Sequence, residues 1–539
     1  MSRGERISTR EWRWTLACAA LILALTAVPY LIGWLAQGED WRFTGALFGV
    51  EDANSYLAKM RLGARGEWLF TLRTTSEPHE GALLFLPYLL LGHVARLVAR
   101  SEPVPTETLI AVFHSARLVF DLALILVIYR FVAVFLRRPA TRRLALVLIT
   151  LGGGLGWLAT LLGGDKLFGS LPVDFIVPEG YTFLILFGLP HLALARSALL
   201  LGFLALFAAL RHASIRRSVR PSLLAGVGWT MMGLAVPFYI PVVYAVLGVW
   251  GLAAWLRSRR FPTALFVRAV IAALVPLPVL VYNAWVFLAS DVFSQWAAQN
   301  LLPSPHPAHY VLGYAILGIP AAAALGWAWR RGAVRLPYLL LASWIVAAPV
   351  MVYLPVNVQR RLAEGVIVPL GILAAVGLAR IARGRRWVVP VSVALALGTS
   401  ALLWLGGLVS ALTPGRPLFR PADEIAAMQA LDAFAPADAV VLAVHETGNV
   451  LPAVTDLIAY VGHGPETIYA DEKEARVRAF FRDELDATAR ATLLAEVDYV
   501  LVGPLERADA RGTGWQRGLR EIAARGTGAD RYVIYEVIR

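Results

Sequence analysis

The sequence holds a single cysteine, Cys18, so it can form no internal disulfide, and cysteine gives no indication of a redox compartment. Charge is also scarce: Asp, Glu, Lys and Arg make up 16% of the 539 residues, against about 25% in a soluble chain. With 58% hydrophobic residues, this excludes an ordinary soluble globule, a disordered chain and a disulfide-stapled secreted module. Lysine is nearly missing. Lys59, Lys166 and Lys473 are the only lysines among 50 basic residues, a bias that fits a GC-rich coding sequence and carries no functional reading of its own. The chain also lacks a Walker motif, a dinucleotide-binding glycine fingerprint, a serine nucleophile elbow and a zinc-protease motif, which removes soluble nucleotides from the expected substrates. Fixed-period repeats and low-complexity tracts are absent as well.

What the chain has instead is apolar length. Continuous apolar stretches run over 15–37, 83–98, 107–136, 144–162, 182–210, 222–235, 237–256, 264–289, 310–329, 336–354, 364–381 and 387–411. Blocks of this size separated by short arginine-rich connectors have the period of a multi-pass helical bundle. The formal charge of +13 is unevenly spread: residues 1–415 carry a net +19 and residues 416–539 a net −6. The basic excess therefore belongs to the membrane part and reads as topology, not as a nucleic-acid patch.

Basic clusters at Arg3/Arg6/Arg10/Arg13, Arg137/Arg138/Arg142/Arg143, Arg211/Arg216/Arg217/Arg220, Arg257/Arg259/Arg260, Arg330/Arg331/Arg335 and Arg380/Arg383/Arg385/Arg386 mark the cytoplasmic connectors. From Arg137 onward they fall at every second connector. That alternation, with a cytoplasmic N-terminus, requires that one of the first three stretches does not cross. The stretch 83–98 is short, follows Pro78-His79-Glu80-Gly81 and contains Pro87, His93 and Arg96, so it reads as an interfacial helix. The first stretch reads as a retained span, because its apolar run is too long for a signal peptide and no small-residue cleavage site follows it before Trp34 and Trp41.

The expected architecture is an α-helical polytopic membrane bundle of about eleven spans plus an interfacial helix. Residues 1–414 would form the membrane domain, with a first outer loop at 38–106, and residues 415–539 a small α/β domain on the outer face. In that tail, Val440–Val444, Tyr499–Val502 and Arg531–Ile538 read as strands, and Glu472–Leu485 and Trp515–Ala524 have helical spacing.

The first outer loop carries the strongest chemical signal. Glu51 and Asp52 precede a segment of helical composition, Ala53–Arg65. Asp52 there is either an N-cap or, in addition, a general base held at a helix N-terminus at the membrane surface. Glu77, His79 and Glu80 follow, and a divalent cation could be held by Glu51, Asp52, Glu77 and His79, although Pro78-His79 equally suits a turn before a helix. Arg360 and Arg361 break the charge rule by lying on the outer side, where they could hold a phosphate, snorkel to headgroups or pair with Glu364. Glu179, His191 and Arg196 form a further candidate set around the second outer loop; a satisfied buried histidine is the plainer reading of His191. Trp296 and Asn300, with Gln299 and His306, suit sugar binding or, for Trp296, an interfacial belt. In the tail, His445, Asn449 and the Gly462–Thr467 segment with His463 follow strand-like runs, where ligands of α/β sheets gather.

An acidic pair in the first outer loop, an interfacial helix behind it, arginines at a later outer boundary and an outer C-terminal domain resemble the GT-C superfamily of integral membrane glycosyltransferases. The likeness is nearest to members that use polyprenyl-phosphate sugars, such as the protein O-mannosyltransferase and aminoarabinose transferase group. It implies that Asp52, with Glu51 beside it, acts as catalytic base or acceptor-positioning group, and that Arg360 and Arg361 bind the lipid phosphate. The His-Pro-Pro pattern of the mannosyltransferases is replaced here by Glu-Pro-His-Glu at 77–80, and a strict Asp-x-Asp is missing. The expected partners are a polyprenyl-phosphate sugar donor, a glycan, lipid or protein acceptor, and membrane lipids, with no nucleic acid. A transporter or flippase without chemistry is the alternative. Such proteins place ionisable sites near the bilayer midplane, whereas the candidates here cluster at one surface.

Overall fold

The computed structural model describes residues 6–164, 166–332 and 335–539; Arg3 of the first basic cluster lies outside them. All twelve apolar stretches are helical, three of them as broken helices: Pro139–Leu151 with Gly156–Leu161, Thr182–Gly188 with Pro190–Leu210, and Thr263–Leu274 with Leu277–Ala289. Among the described residues, six helices are long and apolar enough to cross a membrane: Thr9–Ala36 (α1), Thr106–Phe135, Pro190–Leu210, Tyr239–Ser258, Pro307–Arg330 and Val388–Leu412. The bent pair Thr263–Leu274 and Leu277–Ala289, at 47°, makes a seventh if it is one span. The remaining apolar helices are shorter, as Leu336–Met351 and Ile367–Ile381 are, or begin in a charged turn, as Ile215–Ala235 does. The chain is a multi-pass membrane protein. Leu21, Leu31 and Leu35 of α1 point outward with 59–74% of their surface open, which a lipid solvent explains and water does not.

Two compact units divide the chain. The first comprises residues 1–28, 116–285 and 301–406, the second 29–115, 286–300 and 407–539.

In the first unit the helices pack through a continuous core that includes Trp229, Trp250 and Trp344, all buried. Its polar interior is paired: Arg142 donates to Glu11 at 2.8 Å, and Tyr129 donates to the same carboxylate at 3.0 Å.

In the second unit, Val50–Ala64 (α2) and Leu86–Ala99 (α3) lie backbone to backbone. A Cβ on Gly63 would come within 2.0 Å of the Leu89 carbonyl oxygen, and one on Gly92 within 1.9 Å of that of Met60. Only hydrogen at both positions permits this approach, so α2 is held to one place. The other face of α3 is open and apolar at Leu90, Val94, Leu97 and Val98. That two-sided pattern suits a helix lying in an interface.

Residues beyond 415 add strands to a short β1 at Trp41–Phe43: β2 (Phe419–Pro421), β3 (Val440–Leu442), β4 (Ile458–Ala459), β5 (Tyr499–Val502), β6 (Leu519–Arg525) and β7 (Tyr532–Val537). β1 and β2 pair antiparallel and join the first loop to the tail. The others form a five-stranded sheet of order β4-β3-β5-β7-β6, parallel across β4-β3-β5 and antiparallel across β5-β7-β6. Alternation sends Tyr499, Leu501, Tyr532 and Ile534 into one core, with Met428 and Leu451, and Val500, Val502, Val533 and Tyr535 into the other, with Phe480 and Phe481. Helices thus cover both faces, as expected of an α/β domain.

One tail element differs from expectation. Trp515–Ala524 is not a helix but a short 3₁₀ turn followed by β6, the sheet's edge. The register of β6 on β7 shifts between Glu521 and Ala523. That bulge breaks the two-residue alternation by which a strand is read in sequence, and pairing with β7 overrides local spacing.

Candidate functional site

Both parallel strands at one end of the sheet deliver a histidine. β3 leads into the helix His445–Val454, and β4 into the Gly462–Thr467 loop, so His445 and His463 both follow the carboxyl ends of neighbouring parallel strands. Glu506, buried, fixes the first of these starts by accepting from the N–H groups of Gly503 (2.8 Å) and Val444 (3.1 Å).

These histidines meet the acidic pair. α2 begins at Val50 after Gly49, whose φ of +54° lies in the left-handed region where glycine carries no Cβ penalty. Glu51 and Asp52 therefore stand in the first turn of α2, where the helix dipole favours carboxylates. Asp52 is not an N-cap, as the sequence allowed: the helix starts earlier, and the cap residue makes no side-chain hydrogen bond. Glu51 Oε1 accepts from the Gly464 N–H at 2.6 Å and lies 3.3 Å from His445 Nε2. His445 Nδ1 lies 2.9 Å from Glu474 Oε1, so this ring is bracketed by carboxylates. Asp52 Oδ1 lies 3.3 Å from His463 Nε2. Asn449 completes the junction, accepting from the Asn54 amide at 2.7 Å and donating to the Glu51 carbonyl at 3.3 Å.

The lysines, silent in the sequence, anchor the same junction. Lys59, one face down α2, donates to Glu466 Oε1 at 2.6 Å, and Ser55 donates to Glu466 Oε2 at 2.6 Å. Lys473 of the tail donates to Glu77 of the first loop at 2.7 Å. Two Lys–Glu bridges, the first buried and the second partly so, thus run in opposite senses between the loop and the tail. Lys59 Nζ also lies 4.2 Å from the centre of the Phe85 ring and 5.0 Å from that of Phe70, room for a compact ammonium in a cation–π cage. Two of only three lysines in the chain would have been a signal, had their glutamate partners been known.

Burial works against ionisation of Glu51, but the His445 hydrogen bond, the charge of His463 and the Gly464 N–H outweigh it and hold the carboxyl below its usual range. Burial likewise opposes the charge of Glu466, and Lys59 and His463 reverse it. The hydrogen bond to Glu51 raises His445 despite its burial. For His463, burial favours the neutral ring, while Glu466, Asp52 and Glu51 pull its pKa up. A histidine with a raised folded pKa adds stability that is complete below its unfolded value, about 6.5, and is lost as pH rises through the folded value. A glutamate with a lowered pKa adds stability above about 4.3 that is lost as pH falls through its folded value. The loop-to-tail junction is therefore expected to be most stable between those limits, and thermal unfolding at pH 5.5 and 8.5 measures it. His445→Gln should flatten the alkaline decline; a variant profile parallel to wild type would contradict the bracketed imidazole.

The other candidates fall in separate places. Glu77 is paired with Lys473, and the His79 ring is taken by backbone: Nε2 accepts from the Leu72 N–H at 2.9 Å and Nδ1 lies 2.8 Å from the Glu77 carbonyl oxygen. A shared cation site with Glu51 and Asp52 does not fit this donor set, and among the described residues no three His, Cys, Asp or Glu side chains converge to hold a metal. Trp296 is buried against Phe70, Phe85, Phe287 and Phe293, and Asn300 ends its helix. Gln299, between them, donates to the Pro465 carbonyl at 2.8 Å and accepts from the Tyr469 N–H, and so braces the His463 loop.

In the first unit, Arg361 faces Glu179 at 3.8 Å and lies 5.7 Å from the Phe238 ring centre. Arg360 and Arg361 sit together on a 3₁₀ turn, Gln359–Ala363, both half-buried. Glu364 accepts two bonds from Arg196, at 2.7 and 2.8 Å, and both side chains are fully buried. Arg196 also donates to Thr182 and to the Pro178 and Glu179 carbonyls, so it fixes the segment that carries Glu179. His191 lies in the first turn of Pro190–Leu210, half-buried.

No family model matches the sequence, and no curated protein matches it. Solved structures do. The archaeal oligosaccharyltransferase AglB from Archaeoglobus fulgidus, in complex with an inhibitory peptide and a dolichol-phosphate, aligns over 98% of this chain and 74% of its own, with TM-score 0.54 and 13% identity. The Archaeoglobus fulgidus oligosaccharyltransferase complex with Zn and sulfate aligns over 92% and 71%, with TM-score 0.51 and 13% identity. ArnT from Cupriavidus metallidurans bound to undecaprenyl phosphate covers 96% of this chain and 98% of its own, with TM-score 0.49 and 13% identity. At such identities the likeness is one of fold: over nearly its whole length this chain has the fold of the Archaeoglobus fulgidus oligosaccharyltransferase structures.

Proposed function

We propose that this protein transfers a sugar from a polyprenyl-phosphate donor to an acceptor hydroxyl at the outer face of a cell membrane, with inversion at the anomeric carbon. The observation that carries the reading is the acidic pair in the first turn of α2, of which Glu51 is tied to the tail while the Asp52 side chain keeps 57% of its surface open. Support from the fold is that AglB, a protein of this fold, is an oligosaccharyltransferase in complex with a dolichol-phosphate. In this reading Asp52 takes the proton of the acceptor hydroxyl as its oxygen attacks the anomeric carbon. The bond from that carbon to the phosphate oxygen breaks, its electron pair leaves on the phosphate, and attack from the opposite face inverts the centre. Arg360 and Arg361 bear the phosphate charge. The full span arrangement of eleven crossings, a cytoplasmic N-terminus, an outer tail and the division at residue 415 belong to the same reading.

The arginine role has its own test. Arg360→Gln with Arg361→Gln removes two charge-assisted contacts, each worth roughly 1.5–3 kcal/mol, so the dissociation constant for undecaprenyl phosphate should rise at least about tenfold. Titration of the lipid into the full-length protein in nanodiscs reads it. Unchanged affinity in a folded double variant would remove the pair from phosphate binding.

A further inference from the structure

We propose that His463 is a positioning residue for Asp52, acting as the Nε2–H tautomer; the inference rests on the reading of Asp52 as the acceptor's base. The His463 loop has no freedom to swing. Thr467 Oγ1 accepts from the N–H groups of Gly462 and His463, both at 3.1 Å, and donates to the Thr74 carbonyl at 2.8 Å. Lys59 and Ser55 of α2 grip Glu466, and Gln299 donates to the Pro465 carbonyl. Within this frame the His463 ring is buried and has two neighbours of opposite character. The Glu466 N–H points at Nδ1 from 3.2 Å. A backbone N–H can only donate, so in the neutral ring Nδ1 is the acceptor. The neutral ring's proton is therefore on Nε2, 3.3 Å from Asp52 Oδ1, where it donates. A backbone donor thus fixes the tautomer, and the tautomer fixes a side-chain donor on the carboxylate.

The consequence for the reaction is orientational. Asp52 is largely open, and an open carboxylate at a helix start samples several rotamers. The His463 donor selects one and favours the ionised form, which is the form that accepts a proton. Misplacement of a reacting group by about 1 Å can cost on the order of a hundredfold in rate, so a bond to a base that never touches the substrate through His463 itself can still govern turnover. The same frame gives the lysine bridges a purpose: Lys59 and Ser55 hold Glu466, whose N–H sets the ring, and both lie on the helix that carries Asp52.

Amide side chains separate the two bonds. A glutamine at 463 can place its amide nitrogen near the position of Nε2 and keep the donor to Asp52. An asparagine can place its oxygen near Nδ1 and keep the bond to the Glu466 N–H while losing the donor. His463→Gln should stay within about threefold of wild-type kcat, whereas His463→Asn should fall about 10- to 100-fold, with KM for donor and acceptor nearly unchanged in both. Equal melting temperatures of the two variants identify the difference as catalytic. Equal kcat in His463→Asn and wild type, or an equal loss in both variants, overturns the proposal. A second readout does not depend on turnover: ¹⁵N chemical shifts of His463 in the full-length protein at pH 8.5 should report the neutral Nε2–H ring. A proton on Nδ1 overturns the proposal even if transfer is observed. Wild type without transfer but with the Nε2–H ring would instead overturn the reading of Asp52 as a base.

Discussion

Asp52→Asn is expected to lower kcat for glycosyl transfer by roughly three orders of magnitude, within the span of about 10²- to 10⁴-fold that a positioned general base contributes. Asparagine is the informative replacement because it preserves nearly everything else. Its amide oxygen can still accept from His463, and its size matches. What disappears is the ability to take a proton. Melting temperature should therefore hardly move, and binding of the lipid donor should be retained. Glu51→Gln is expected to behave in the opposite way. Glu51 Oε1 is tied to the Gly464 N–H and faces His445, so the loss should fall on the stability of the loop-to-tail junction more than on kcat. Kinetics and thermal unfolding of the two single variants side by side separate the roles. An active Asp52→Asn enzyme would take Asp52 out of the mechanism, and with it the reason for the inversion.

The second large effect is on folding. Arg196→Leu should destabilise the protein by about 3–5 kcal/mol, because it removes the guanidinium that pairs the buried Glu364 carboxylate. Both members of the pair are fully buried, and the Trp344 indole N–H, at 2.9 Å, reaches the Glu364 backbone carbonyl and not its side chain. Adding Glu364→Leu to that variant should recover much of the loss, since two apolar side chains replace an ion pair at little net cost. The double-mutant cycle, read by denaturant unfolding in detergent micelles, isolates the pair. Additive single effects would show that Arg196 and Glu364 do not interact as placed. Because Arg196 also holds the Pro178 and Glu179 carbonyls, the single variant should loosen Glu179 and, through it, Arg361.

The membrane helices were legible because apolar length is a local property, and each apolar stretch from 15–37 to 387–411 is helical. The acidic pair was legible too, as two carboxylates ahead of a helical segment. Its start was misplaced because Gly49, whose left-handed conformation opens the helix, carries no side-chain signal. The partners of the pair were not legible. Asp52 and His463 are 411 positions apart, and Lys59 and Glu466 are 407 apart. Such pairing is decided by the sheet that aims β3 and β4 and by the glycine contact between α2 and α3, not by any local pattern. The same holds for Arg196 and Glu364, 168 positions apart. β6 was missed because its bulge conceals the alternation that identifies a strand.

The most direct test of the account is the release of free polyprenyl phosphate by the full-length protein in proteoliposomes, supplied with a panel of polyprenyl-phosphate sugars and a mixed acceptor extract. Release by wild type, matched by sugar appearing on an acceptor and absent in folded Asp52→Asn, is the predicted result. No release from any donor by folded wild type, or equal release by both proteins, would contradict it.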